Sequence, residues 1–262
     1  MQSFEESAPY RESSVTLSPD TLTALPARQA AAYPDRLAYA ILDDKLEVAA
    51  ALTFAELAER ADALAAALVP RTTPGDPVLL AFNNGLDPVV AFWGCLCAGL
   101  VPVPAPAPDS TLSRTSLQRL AGIAADASIA LALTDDFALE DAREQLAGVR
   151  WSSVGALLKG SDQLNPVDWR AEPDEVAYLQ YTSGSTSEPR AVEVTHAAVL
   201  AQCRALYESV AVDRDCDRAL IWLPWFHDYG LLHALILPVY EGVPSYVMPT
   251  LSFMRQPLRW LT

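Results

Sequence analysis

Residues 181–195 read Tyr-Thr-Ser-Gly-Ser-Thr-Ser-Glu-Pro-Arg-Ala-Val-Glu-Val-Thr and concentrate the groups that hold a polyphosphate. Gly184 lets the backbone come close to an anion, and unhindered N–H groups can point at it. The hydroxyls of Thr182, Ser183, Ser185 and Thr186 add donors, and the Arg190 guanidinium adds fixed positive charge. The stretch is not a Walker A loop, because no G-x-x-x-x-G-K-S/T string occurs. A plain Ser/Thr-rich turn between two strands would contain the same residue types. Downstream, residues 222–232 read Trp-Leu-Pro-Trp-Phe-His-Asp-Tyr-Gly-Leu-Leu, placing His227 and Asp228 among aromatic residues. An imidazole in that setting either orients an anionic reacting group or sits satisfied in an aromatic core. Asp228 either orients the imidazole or caps the helix that follows.

The elements that must position these residues follow from hydrophobic periodicity. Residues 23–32 predict a helix that Pro34 stops, and 38–42 with 47–52 predict a hairpin around Asp43-Asp44-Lys45. Thr53 with Glu56 forms a capping-box signature ahead of Leu57, Ala61, Leu64 and Leu68 at helical spacing. Strands are expected at 78–82, 100–103, 129–133, 176–181, 219–223 and 245–248. Helices are expected at 87–98, 116–127, 138–147, 195–209 and 230–240, with a stiff proline-rich segment at 102–108. Thr195 is the expected cap of the helix carrying His196, and His233 is expected on a helix surface. Residues 254–262 read as the start of a helix with Pro257 in its first turn. Continuous apolar strands alternating with helices predict an α/β fold with parallel sheets flanked by helices.

The 262 residues are 51% hydrophobic and 19% charged, a globular composition. The formal net charge of −15 argues against nucleic acid or an anionic membrane as partner, and requires local positive potential wherever a nucleotide binds. Only Lys45 and Lys159 are lysines, so arginine carries nearly all positive charge. Cys95, Cys97, Cys203 and Cys216 make no disulfide framework at this length and read as core packing. No apolar run reaches the ~18–20 residues of a membrane-spanning helix. The polar, acidic start is no signal peptide, so a reducing cytoplasm is the expected location.

Tyr181 to Thr186 and Pro189 resemble the phosphate loop of adenylate-forming enzymes, whose pattern is close to Y-T-S-G-S-T-G-x-P-K-G. Ser187 and Ala191 replace glycines, and Arg190 replaces a lysine while keeping its charge. The Trp222–Leu232 string is similar to the W-L-P-x-x-H-D-x-G-L string of one branch, the fatty acyl-AMP ligases. Leu179-Gln180-Tyr181, the stretch 82–108, Tyr33-Pro34-Asp35-Arg36 and residues 52–57 resemble the same branch. The resemblance implies the large N-terminal domain of such an enzyme, incomplete at its C-terminus. It implies a loose tail at 1–18, an α/β lobe at 76–216 carrying the phosphate loop, and part of a second lobe from 19–75 and 217–262.

The resemblance further implies ATP-dependent conversion of a fatty acid to acyl-adenylate for transfer to an acyl carrier protein, with ATP and Mg²⁺ as cofactors. His227 would be the catalytic residue. Thr182, Ser183, Gly184, Ser185, Thr186 and Arg190 would hold the phosphates, with Thr186 also on Mg²⁺. Trp225, Asp228, Gly230 and Leu231 would be candidates for the acyl pocket. The alternatives are an acyl-CoA synthetase or amino-acid adenylation domain, and a non-catalytic lobe that binds a nucleotide or a partner. The acidic, aspartate and lysine motifs of the family's missing C-terminal part are not present in the sequence, so the chain reads as inactive in adenylation by itself.

Overall fold

The computed structural model describes residues 20–108, 113–136, 138–146, 148–161, 164–182, 189–210 and 212–261. Segment 1–18 and the loop residues Ser183, Gly184, Ser185 and Thr186 lie outside the described residues. A 3-10 turn leads into α1 (Leu25–Ala32), with Pro26 in the first turn where its missing N–H costs nothing. β1 (Leu37–Leu42) and β2 (Val48–Thr53) form the hairpin. The predicted capping box then starts α2 (Phe54–Leu68): the Glu56 N–H donates to Thr53 Oγ1 at 3.2 Å, and the Thr53 N–H donates to Glu56 Oε2 at 2.8 Å.

The alternation continues with β3 (Pro77–Phe82), α3 (Asp87–Cys97), β4 (Val101–Pro106), α4 (Arg114–Asp126), β5 (Leu131–Thr134), α5 (Leu139–Gln145), β6 (Arg150–Ser153) and α6 (Val154–Leu158). After β7 (Val176–Tyr181) come β8 (Ala191–Thr195), α7 (His196–Ser209) and β9 (Ala219–Ile221). α8 (Asp228–Gly230) passes through a π-helical stretch, Leu231–Ile236, into α9 (Leu237–Glu241). β10 (Ser245–Val247), α10 (Thr250–Arg255) and a 3-10 segment, Pro257–Leu261, follow. The sequence pattern does not show β6 or α6. β6 reads Arg-Trp-Ser-Ser with one large apolar side chain, and α6 is too short for helical periodicity. Nor does it show α10, which lies ahead of the helix start expected near Pro257.

Among the described residues the strands form three sheets. One is all parallel in the order β4-β3-β5-β6, and a second, β2-β1-β10-β9, is parallel apart from its hairpin. The third corrects the expected topology: β7 and β8 form a separate antiparallel pair rather than extending the parallel sheet. The cause lies in β4, whose prolines 102, 104 and 106 sit opposite Val78, Leu80 and Phe82 of β3. Val101 donates its N–H back toward β3, to Asp76, so the intervening prolines occupy the positions whose N–H would face outward. Proline has no N–H, and its place in a sheet is such an edge. β7 lies beside β4 but makes no ladder with it.

One large core joins α2, α3, β3 and the helical stretch after His227, with Tyr39, Phe54, Phe82, Phe92, Trp93 and Ile236 buried in it. A smaller core between the parallel sheet and α4 holds Leu79, Val103, Leu120, Ile123, Trp151 and Tyr181. Cys95 and Cys203 are buried free thiols, Cys97 is half-buried and Cys216 is exposed. Among the described residues no helix is long and apolar enough to cross a membrane. Pro238 lies inside the helix expected over 230–240 and cannot donate to the carbonyl one turn back. That carbonyl, of Ala234, accepts instead from the buried Ser245 hydroxyl at 2.8 Å, and the Leu235 carbonyl accepts from the Tyr39 hydroxyl. The π stretch therefore has side chains as partners for its interrupted ladder.

Two stability outcomes follow. Ser245→Ala leaves the Ala234 carbonyl buried without that partner and should cost roughly 1–3 kcal/mol in urea unfolding; unchanged stability would contradict the assignment. His196 is 3% exposed and accepts the Leu22 N–H at Nδ1, 3.2 Å away. Burial pushes its pKa down to about 4, against the opposing pull of Glu175. The folded state favours the neutral ring, so this contribution is complete above the ordinary histidine value and is lost as pH falls toward 4. Wild type should therefore lose roughly 3 kcal/mol relative to His196→Asn as pH falls from about 6.5 to about 4. A pH-independent difference between the two would contradict a buried neutral imidazole.

Candidate functional site

β7 leads directly to the loop and is fixed on both sides. The buried Gln180 donates from Nε2 to the Phe226 carbonyl at 3.2 Å, tying the strand to the peptide just before His227. Its Oε1 is buried with no hydrogen-bond partner among the described residues. The Tyr181 hydroxyl donates to Asp126 Oδ2 at 2.6 Å, and burial together with that carboxylate pushes the phenol pKa up. Arg119 of α4 donates to the Thr182 carbonyl.

His227 precedes α8 and is exposed. Its Nδ1 lies 2.6 Å from Asp228 Oδ1, and the same oxygen accepts the Tyr229 N–H at 2.6 Å. Asp228 thus both orients the imidazole and sits in the first turn of the helix, where a carboxylate suits the helix dipole. With Nδ1 held by the carboxylate, Nε2 is the ring nitrogen left to meet a ligand.

Thr182, His227 and Asp228 line one cavity of about 290 Å³. Pro104 and Pro106 of the β4 edge, Leu120 and Ile123 of α4, and Phe226 give it an apolar wall. Ser116, Arg119 and Gln180 add polar groups. Arg190 is exposed just past the loop and does not line this cavity.

The other expected pocket residues face elsewhere. Trp225 is 4% exposed, donates its indole N–H to the Phe82 carbonyl at 3.2 Å and packs edge-on to the Phe82 ring. Leu231 is fully buried in the large core. At Gly230 a Cβ would lie 2.0 Å from the Pro224 carbonyl oxygen, so only glycine lets the helix turn back over the Trp-Leu-Pro segment. These three shape the site from behind; only Asp228 of the four touches the cavity. His196 is in the first turn of α7, as the Thr195 cap requires. His233 is half-buried and stacks on Tyr229 with centroids 3.9 Å apart, rather than standing on the surface. Sequence reasoning did not find Arg119 or Ser116, which lie on the polar face of an ordinary amphipathic helix where nothing marks a binding role.

Residues 26–262 match the AMP-binding enzyme family. The chain is 35% identical to the medium-chain fatty-acid acyl-carrier-protein ligase JamA of Moorena producens, across 86% of this chain and 39% of that protein. It is also 35% identical to the long-chain-fatty-acid–AMP ligase FadD32 of Mycolicibacterium smegmatis, across 87% of this chain and 37% of that one. The fatty acyl-adenylate ligase of Legionella pneumophila, solved in complex with acyl adenylate and pyrophosphate, superposes with a TM-score of 0.83 at 29% identity. That superposition covers 94% of this chain and 42% of that one. The chain spans about two fifths of the length of the curated relatives it matches. With nearly all of the described fold inside that match, the chain belongs to the AMP-binding enzyme family.

Proposed function

We propose that this chain is the N-terminal part of a fatty acyl-AMP ligase, which activates a fatty acid with ATP and passes the acyl group to an acyl carrier protein in the cytoplasm. The observation that carries the reading is that Thr182, at the start of the phosphate loop, and the oriented His227–Asp228 pair open on one cavity. In this reading the fatty-acid carboxylate attacks the α-phosphorus of ATP, forming the acyl–phosphate bond and releasing pyrophosphate. Thr182, Ser183, Gly184, Ser185 and Thr186 hold the β- and γ-phosphates, and Arg190 offsets their charge. His227, fixed at Nδ1 by Asp228, presents Nε2 to the meeting point of carboxylate and α-phosphate and orients the two. Among the described residues no group of three or more His, Cys, Asp and Glu could cage a metal ion. In this reading Mg²⁺ would be held on the polyphosphate, neutralising part of its charge, with the Thr186 hydroxyl as one protein contact and a further oxygen partner supplied from the rest of the enzyme. We also read 76–216 and 19–75 with 217–262 as two lobes, each built around its own parallel sheet.

The reading is tested in the full-length protein by mass spectrometry of the products from ATP and a fatty acid, with carrier protein and coenzyme A offered at equal concentration. Acyl-adenylate and acyl-carrier protein are expected. Acyl-CoA as the main product, or an amino-acid adenylate instead, would move the protein to another branch. In the same enzyme Arg190→Ala should lower kcat/KM for ATP by ~2–4 kcal/mol, the scale for removing one partner of a charged pair. Arg190→Lys should cost much less, and wild-type kinetics in the alanine variant would leave Arg190 a surface charge. His227→Ala should slow adenylate formation by about 10²-fold, as for losing one aligned donor. An unchanged rate would remove His227 from the reaction.

A further inference from the structure

Helix α4 reaches both ends of the phosphate loop. Arg119 donates to the carbonyl of Thr182, the last described residue before the loop's core. Gly122 faces Pro189, the first described residue after it: a Cβ at position 122 would lie 3.0 Å from Pro189 Cγ and 3.3 Å from Cδ. Asp126 accepts the Tyr181 hydroxyl at 2.6 Å. Positions 119, 122 and 126 are spaced by three and four residues, so one face of α4 makes all three contacts. The adjoining face is anchored, because Leu120, Ile123 and Ala124 are buried against the parallel sheet.

We propose that α4 is a clamp on the phosphate loop, with Arg119 and Asp126 as positioning residues at its entry and Gly122 as the notch that admits Pro189 at its exit. Any segment that wraps a polyphosphate gives up backbone conformational freedom. Fixing its two ends in advance lowers that cost and raises the fraction of molecules ready to bind. The inference rests on the reading of residues 182–190 as an ATP phosphate loop, but the clamp itself can be measured without activity.

The measurement is hydrogen exchange of the peptides covering 182–191, in wild type, Arg119→Ala, Arg119→Lys, Asp126→Asn, Tyr181→Phe and the Asp126→Asn/Tyr181→Phe double variant. Loop amides should exchange about tenfold faster in Arg119→Ala and Tyr181→Phe, as for one lost restraint on a local opening, while β5 exchanges as in wild type. Arg119→Lys should restore most of the protection. The double variant should exchange no faster than Tyr181→Phe alone, because that change already removes the bond that Asp126→Asn only weakens. In the full-length enzyme the ATP KM should rise by about the same factor with kcat nearly unchanged. Wild-type exchange in the loop of all variants would overturn the clamp, and so would faster exchange spread equally into β5, which would make α4 a general support. Loop-specific acceleration in an enzyme that forms no acyl-adenylate from any fatty acid would uphold the clamp and overturn the proposed function instead.

Discussion

The site depends on an edge that cannot donate. β4 closes the parallel sheet with proline at every outward-facing position, so the edge offers the next strand carbonyl acceptors but no N–H donors, half of a ladder. β7 comes alongside and finds its ladder in β8 instead, so Tyr181 and Ala191, on either side of the candidate loop, pair with each other. The seam between β4 and β7 is lined by Pro104, Ala105 and Pro106 on one side and Gln180, Tyr181 and Thr182 on the other.

Around the seam, hydrogen bonds distant in sequence set the relative positions of the two motifs. Gln180 holds the phosphate strand to the carbonyl of Phe226, and Trp225 holds the same segment to the end of β3 through the Phe82 carbonyl. Behind His227, the π stretch and Pro238 leave carbonyls that Ser245 and Tyr39 take up, which docks the helix on the second sheet. His227 is therefore placed by contacts to both parallel sheets, while its exposed ring is oriented locally by Asp228.

Much of this was legible in the residues. The Thr53–Glu56 capping box, the Thr195 cap, the β1–β2 hairpin and the apolar strands of the parallel sheet follow from local rules, and the structure obeys them. What the sequence did not show depends on partners far along the chain. The strand expected at 100–103 runs on through Pro104 to Pro106, and only its pairing with β3 shows that this proline-rich stretch is a sheet edge. Trp225 reads as a pocket wall until Phe82 claims its indole, and Gly230 as a pocket residue until the Pro224 carbonyl shows what fills the space of a side chain. Arg119 carries no local signal, because an exposed arginine on an amphipathic helix is ordinary, and only the arrival of Thr182 gives it a role.

The central claim is that the phosphate loop and His227 serve one ligand across the β4–β7 seam. It is tested most directly by a crystal structure of the full-length protein with a non-hydrolysable acyl-sulfamoyl adenosine bound. The account predicts the sulfamoyl group within hydrogen-bonding distance, about 3 Å, of the His227 imidazole, on the same side as Thr182. An analogue bound away from the seam, with no contact to His227, would contradict it.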